Sequence, residues 1–167
     1  NGQGMLTNGD QVRGTLVRGI LPAYESQVAD FATHMKVGRL ADLKPGEFGI
    51  ILGGELARLL GVMPGDKVTL LTPQGNITPA GVMPRIKQFT VVGIFEAGMF
   101  EYDSGLALIH MQDAQKLQRM GDQVSGVRLK LAELFRAPFV KRDLAGMLNG
   151  DYYLSDWTTS HSNFFRA

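Results

Sequence analysis

The chain has 167 residues, enough for one sizeable core or two small lobes. A formal net charge of +1 argues against nucleic acid as the main partner, because binding phosphates needs a marked excess of positive charge on one face. Hydrophobic residues at 44% and charged residues at 20% exclude a disordered chain, and the absence of cysteine excludes a disulfide framework, a thiol nucleophile and a cysteine zinc site.

Glycine is abundant, 21 of the residues, which predicts many tight turns and a strand-rich protein. No apolar run approaches the roughly 18 residues of a membrane helix. The start Asn1-Gly2-Gln3-Gly4 lacks the basic and apolar regions of a signal peptide. The end at Asn163-Phe164-Phe165-Arg166-Ala167 has no Gly or Pro stop, so both ends read as cuts in a longer chain.

In chain order, Val12, Leu16, Val17, Ile20 and Leu21 interleave with polar residues and predict a strand closed by Pro22. Val28, Phe31, Ala32 and Met35 fall at i, i+3, i+4 and i+7, which predicts one amphipathic helix over 25–37 ended by Gly38. The run Phe48 to Leu52 predicts a buried strand. A helix with Leu56, Leu59 and Leu60 on one face follows, stopped by Gly61 in a left-handed cap. Met63-Pro64-Gly65-Asp66 is a turn, and strands are predicted at 67–71, 88–95 and 106–109. A helix over 112–120 buries Ala114, Leu117 and Met120 and stops at Gly121. Val127, Leu129 and Leu131 alternate with Arg128 and Lys130 as a half-buried strand. A helix over 138–149, a short strand at Tyr152-Tyr153-Leu154 and a last helix from Ser155 or Thr158 complete the reading. The fold class is α+β, with a strand-rich centre and a more helical C-terminal third.

Catalytic and metal-binding signals are weak. His34, His110 and His161 have no partners at metal-ligand spacing and are expected in surface or capping roles, so no metal or cofactor is expected. Ser104, Ser125 and Ser160 lie outside any G-x-S-x-G elbow. Glu96, Glu101 and Asp103 cluster around Gly98, either as a solvated connection or as the acid–base pair of a small hydrolase; Ca²⁺ binding is disfavoured because the loop lacks the alternating oxygen ligands of a calcium loop. Gly53-Gly54 opens a helix after a strand, as anion sites do, but no Lys-Ser or Lys-Thr follows.

The unusual stretch is 70–84, which contains no charge and three prolines. It joins two predicted strands and is expected to form a long loop of about a dozen residues at a hairpin tip, where ordinary hairpins use 2–5. Proline restricts the chain before binding and so lowers the entropy lost on docking. Arg85 and Lys87 form a basic collar at its foot. Two readings stand: an arm that docks on another protein, with charge steering at its base, or a loop folded back over its own sheet.

The ordered series Ile51-Leu52-Gly53-Gly54-Glu55-Leu56-Ala57, Leu60-Gly61-Val62 and Gly65-Asp66-Lys67-Val68-Thr69-Leu70 resembles the periplasmic core domain of MacB-type ABC transporter permeases. Within that group, Phe89 to Phe95, Glu101-Tyr102-Asp103-Ser104 and Asp113-Ala114-Gln115-Lys116-Leu117 resemble the lipoprotein-releasing permeases LolC and LolE. The resemblance implies a periplasmic domain between the first two membrane helices of an inner-membrane permease in a Gram-negative bacterium. It implies a strand-rich Sabre lobe (41–122) inserted in an α+β Porter lobe (1–40 and 123–167), with a protruding hairpin over 72–87. Implied partners are a LolA-like chaperone, a second permease subunit (LolE-like or a second copy), a cytoplasmic LolD-like ATPase and a lipoprotein substrate. The domain itself would be non-catalytic, in keeping with the missing phosphate loop. The hook that catches the chaperone falls on Pro73, Gln74, Gly75, Asn76, Ile77, Thr78, Pro79, Ala80, Gly81, Val82, Met83 and Pro84, and the adjoining pad on Arg85, Ile86 and Lys87. Glu101 to Ser104 and 124–131 look as much like LolE, which implies a permease that combines both characters. The alternative within the group is an efflux or FtsX-like permease that transmits force to a different partner.

Overall fold

The computed structural model describes residues 1–78 and 81–160, with side chains outside 74–83 and 159–160. The chain divides into two units, Asn1–Arg128 and Leu129–Ala167. In the first unit, Gly9-Asp10 is a two-residue turn in which Gly9 takes φ 55°, and it joins β1 (Gly2–Asn8) to β2 (Gln11–Ile20) in an antiparallel pair. Sequence reading finds β2 and misses β1; the Asn8-Gly9-Asp10 turn signal between the two segments marks it.

The expected helix over 25–37 is three elements. α1 (Pro22–Val28) opens on proline and ends where Ala29 is fully extended. A 3-10 turn follows at Asp30–His34, and β3 (Met35–Val37) pairs with the end of β6 (Gly81–Phe95). The helical spacing of Phe31 and Met35 is real, but both sink into a core under the sheet, Phe31 edge-on to Phe95 at 5.2 Å. Tertiary burial there overrides local periodicity.

β4 (Gly49–Gly53) and β7 (Leu106–His110) are buried on both faces, as continuous apolar strands in the middle of a sheet should be. α2 (Gly54–Leu60) ends at Gly61, left-handed at φ 66° as expected. The turn 63–66 docks its backbone on β6: Gly65 N–H donates to the Val91 carbonyl and Val91 N–H to that of Asp66, each at 2.8 Å. Asp66 also closes its own turn, accepting from Met63 N–H at 2.8 Å. β5 (Lys67–Thr78) therefore starts with Lys67 opposite Thr90.

Strand order is β3-β6-β4-β7-β2-β1-β5, and β5 also pairs with β6. Among the described strands, β6, β4, β7, β2, β1 and β5 thus close a barrel-like ring, with β3 outside it. The pairs β4–β6 and β2–β7 are parallel and the rest antiparallel. One core, including Leu6, Val17, Leu52, Leu70, Phe89 and Val91, lies against Leu56 and Leu60 of α2. A second, including Ile20, Ile51, Phe95 and Leu108, covers the opposite side chains of the same strands. Strand alternation divides Ile50 and Leu52 from Ile51. The α+β class holds, with strands dominating.

α3 (Phe100–Gly105) leads into β7, and α4 (Met111–Gln118) follows it. His110 caps α4, its Nδ1 accepting from Gln112 N–H at 3.2 Å. The stop is Arg119 in a left-handed conformation rather than Gly121, two residues further on. Asp113 on α4 is fully buried, and its two oxygens accept from Gly46 N–H at 2.7 Å and Phe48 N–H at 3.1 Å. Glu25, buried on α1, pairs with Arg128. Burial and the charge of Arg128 lower the pKa of the neighbouring Arg18 guanidinium, while Glu25 and Tyr102 oppose the shift.

The alternating stretch 127–131 forms no ladder: Val127 is 83% and Leu129 61% exposed, and Arg128 and Lys130 on the other face are exposed too. Alternation makes a strand only where the backbone pairs with a neighbour, and this stretch pairs with none of the described strands. Tyr152 to Leu154, expected as a short strand, is irregular as well. The second unit contains α5 (Ala137–Met147) and α6 (Trp157–Ser160). Trp157 Nε1 donates to the Leu134 carbonyl at 2.9 Å and its ring meets Phe135 edge-on at 5.9 Å.

Asp113→Ala removes the acceptor shared by the exposed Gly46 N–H and the half-buried Phe48 N–H and is expected to cost about 2 kcal/mol, the range for hydrogen bonds to a charged group. The measurement is the urea unfolding midpoint.

Candidate functional site: the β5–β6 hairpin and its foot

β5 and β6 pair without a break from Lys67 opposite Thr90 to Thr72 opposite Arg85. Pairing then resumes at Asn76 opposite Met83 and runs to Thr78 opposite Gly81. Between the two stretches, Pro73, Gln74 and Gly75 face the single residue Pro84. Both prolines sit in this irregularity because neither has an N–H to give to a ladder. The extra residues on β5 make a bulge, which bends the strand and increases its twist.

The expected dozen-residue loop is thus corrected. Asn76, Ile77 and Thr78 on one side and Gly81, Val82 and Met83 on the other keep their amide donors and extend the ladder. Pro79 and Ala80 of the expected hook lie outside the described residues. Pro73 and Pro84 are exposed. Among the described pairings, β1 leaves β5 after Leu71, and from Thr72 onward β5 pairs with β6 alone.

The foot is built by strand alternation. Phe89, Lys87 and Arg85 occupy successive positions on one face of β6, and Ile86 the other. Phe89 is in the core, whereas Lys87 is exposed, with Nζ 3.9 Å from the centre of the Phe48 ring. That ring meets Phe89 edge-on at 5.6 Å. Phe48 has φ 51°, a left-handed conformation rare for an aromatic residue, and the Asp113 carboxylate holds its N–H there. Arg85 is half-buried and donates from Nη1 to the Leu117 carbonyl at 2.7 Å. Ile86 is 64% exposed. The three expected pad residues therefore have three different surroundings. The contacts of Phe48, Asp113 and Leu117 at this foot escape sequence reading, since their partners lie far along the chain.

The carboxylates around Gly98 do not converge. Glu96 pairs with Lys36 at 3.3 Å in solvent, Glu101 is exposed, and Asp103 accepts from Ala97 N–H at 2.6 Å and Gly98 N–H at 3.0 Å. Asp103 braces a loop, which removes the support for a hydrolase built on these residues. A Cβ at Gly54 would lie 2.9 Å from Glu96 Cγ, so a carboxylate side chain already stands at the start of α2, where an anion would have to bind. Of the histidines, His34 bonds through Nδ1 to the Asp30 carbonyl at 2.8 Å, and His161 is outside the described residues.

The model of the MacB-like periplasmic core domain matches residues 2–145. The chain belongs to this family. It is 47% identical over 166 residues to the lipoprotein-releasing system transmembrane protein LolC of Neisseria meningitidis, covering 99% of this chain and 40% of that protein. With LolC of Xylella fastidiosa it shares 49% over 162 residues, covering 97% of this chain and 39% of the relative. The protein named LolE from Haemophilus influenzae is 27% identical over 168 residues, covering 97% of this chain and 39% of its own length. The chain thus spans about two fifths of the length of these curated relatives. This MacB-like domain is closer to the two LolC proteins than to that LolE.

Phe48→Leu removes the ring beneath Lys87 and its edge contact with Phe89, for an expected loss of about 1–2 kcal/mol. Thermal unfolding of the variant beside Lys87→Met separates the two contributions.

Proposed function

We propose that the chain is the periplasmic domain of a LolC-type, lipoprotein-releasing ABC permease in the inner membrane of a Gram-negative bacterium. Its β5–β6 hairpin recruits a LolA-like chaperone to receive the lipoprotein. The observation that carries this reading is a two-stranded ladder that continues past its neighbouring strand, with exposed prolines at its bulge, in a chain similar to LolC proteins along nearly all its length. The docking residues are Pro73 to Pro84, with Ile86 and Lys87 beside them at the foot. A ladder closed by its own hydrogen bonds and stiffened by proline loses little entropy on docking. Apolar contact at the tip supplies affinity, and the foot's positive charge steers the approach.

ATP hydrolysis belongs to a separate LolD-like subunit in this reading, and a second permease subunit, LolE-like or another copy, completes the transporter. Among the described residues no helix is long and apolar enough to cross a membrane. The membrane helices lie in the remaining length of the permease. A strand-rich Sabre lobe and an α+β Porter lobe are the corresponding reading of the architecture.

The test uses the full-length permease complex in nanodiscs and the purified chaperone. Replacing 75–82 by an Asn-Gly turn is expected to weaken chaperone binding at least about 100-fold, equivalent to roughly 2.7 kcal/mol. Undiminished binding defeats the docking role and favours a force-transmitting permease with another partner.

A further inference from the structure

Arg85 stands where the hairpin leaves the barrel, directly opposite Thr72, the last β5 residue before the bulge. A basic residue at that place invites the reading of a steering charge that meets the partner. Its surroundings say otherwise. The side chain is half-buried, its Nε is sheltered from solvent, and its Nη1 donates to the Leu117 carbonyl. Leu117 is the penultimate residue of α4, so this carbonyl is one of the four that a helix C-terminus leaves without an internal donor. The Arg119 N–H closes the carbonyls of Gln115 and Lys116, and Arg85 takes that of Leu117. A guanidinium at this end of a helix is also favoured by the helix dipole.

α4 is a firm post for such a tether. Its Asp113 holds Gly46 and Phe48, Leu117 is in the core, and Ala114 packs so closely on β2 that a Cβ at Gly19 would lie 2.8 Å from it. The bulge at Pro73 to Gly75 is where a two-stranded ladder bends most easily, and Arg85 grips the last pair below it.

We propose that Arg85 is a positioning residue: it ties the root of the hairpin to the C-terminal end of α4, fixing the direction in which the hook is presented, and does not itself touch the carrier. This rests on the docking reading above and assigns Arg85 a different role from Ile86 and Lys87 beside it.

The experiment compares Arg85→Ala, Arg85→Lys and the hook replacement in the full-length permease in nanodiscs. Three quantities are read: hydrogen exchange of the 70–72 and 85–88 amides without carrier, carrier affinity, and the salt dependence of the association rate. Arg85→Ala is expected to speed exchange of those amides about tenfold, a local loss of roughly 1.4 kcal/mol, and to weaken carrier binding by a similar factor. Its association rate should keep the wild-type salt slope, because no interfacial charge has gone. Arg85→Lys, which keeps one donor and the charge at the helix end, should recover most of both losses. Unchanged exchange with weaker binding and a shallower salt slope makes Arg85 a carrier contact and overturns the proposal. Faster exchange with unchanged affinity overturns the positioning role, and so does no effect on either. If Arg85→Ala fails to fold, Arg85→Gln beside Arg85→Lys decides the same comparison. If the hook replacement binds carrier normally, the docking reading fails, and the proposal with it; the exchange data then still show whether the Arg85 tether exists.

Discussion

β6 is one strand with two duties. From Thr90 to Phe95 it pairs with β4 inside the barrel, and from Thr90 back to Gly81 it pairs with β5. Closing the ring and building the hairpin are therefore a single act of registration. Because side chains alternate with period two, a slip of one residue would turn Phe89 and Val91 out of the core. The hydrophobic cost of that slip holds the register, and the register decides which residues stand at the hairpin foot and where the prolines interrupt the ladder.

The supports of this register are polar and local. The turn 63–66 ties its backbone to Val91 from both directions, and Asp113 fastens 46–48 so that Phe48 can lie between Phe89 and Lys87. Buried carboxylates and left-handed aromatic residues are costly in isolation. Here each is compensated: the carboxylate by two backbone donors, the strained Phe48 backbone by an edge contact and a cation above its ring. Core, turn and helix α4 all converge on the few residues from which the hairpin departs.

The carboxylates that sequence reading gathers around Gly98 are spent on loop bracing and a surface ion pair. The hydrogen bonds of Asp113 and Arg85 gather instead at the foot of the β5–β6 hairpin. In the proposed docking role, affinity for the carrier comes from the low entropy loss of a pre-ordered contact rather than from a large buried area.

Much of this was legible from residues alone. Buried strands at 48–52 and 106–109, the helix stopped by Gly61, the turn at Gly65 and the proline-marked hairpin all follow from local chemistry: continuous apolar runs, positive φ, missing amide donors. What local chemistry cannot supply is the partner of each element. Phe31 and Met35 keep helical spacing yet serve a turn and a strand, and Val127, Leu129 and Leu131 alternate without joining a strand. The roles of Arg85, Phe48 and Asp113 depend on Leu117, Lys87 and Gly46, residues tens of positions away in the chain. Period and propensity act between near neighbours, whereas hydrogen-bond partners and burial are settled only when the sheet closes; that is why the hairpin could be foreseen and its anchorage could not.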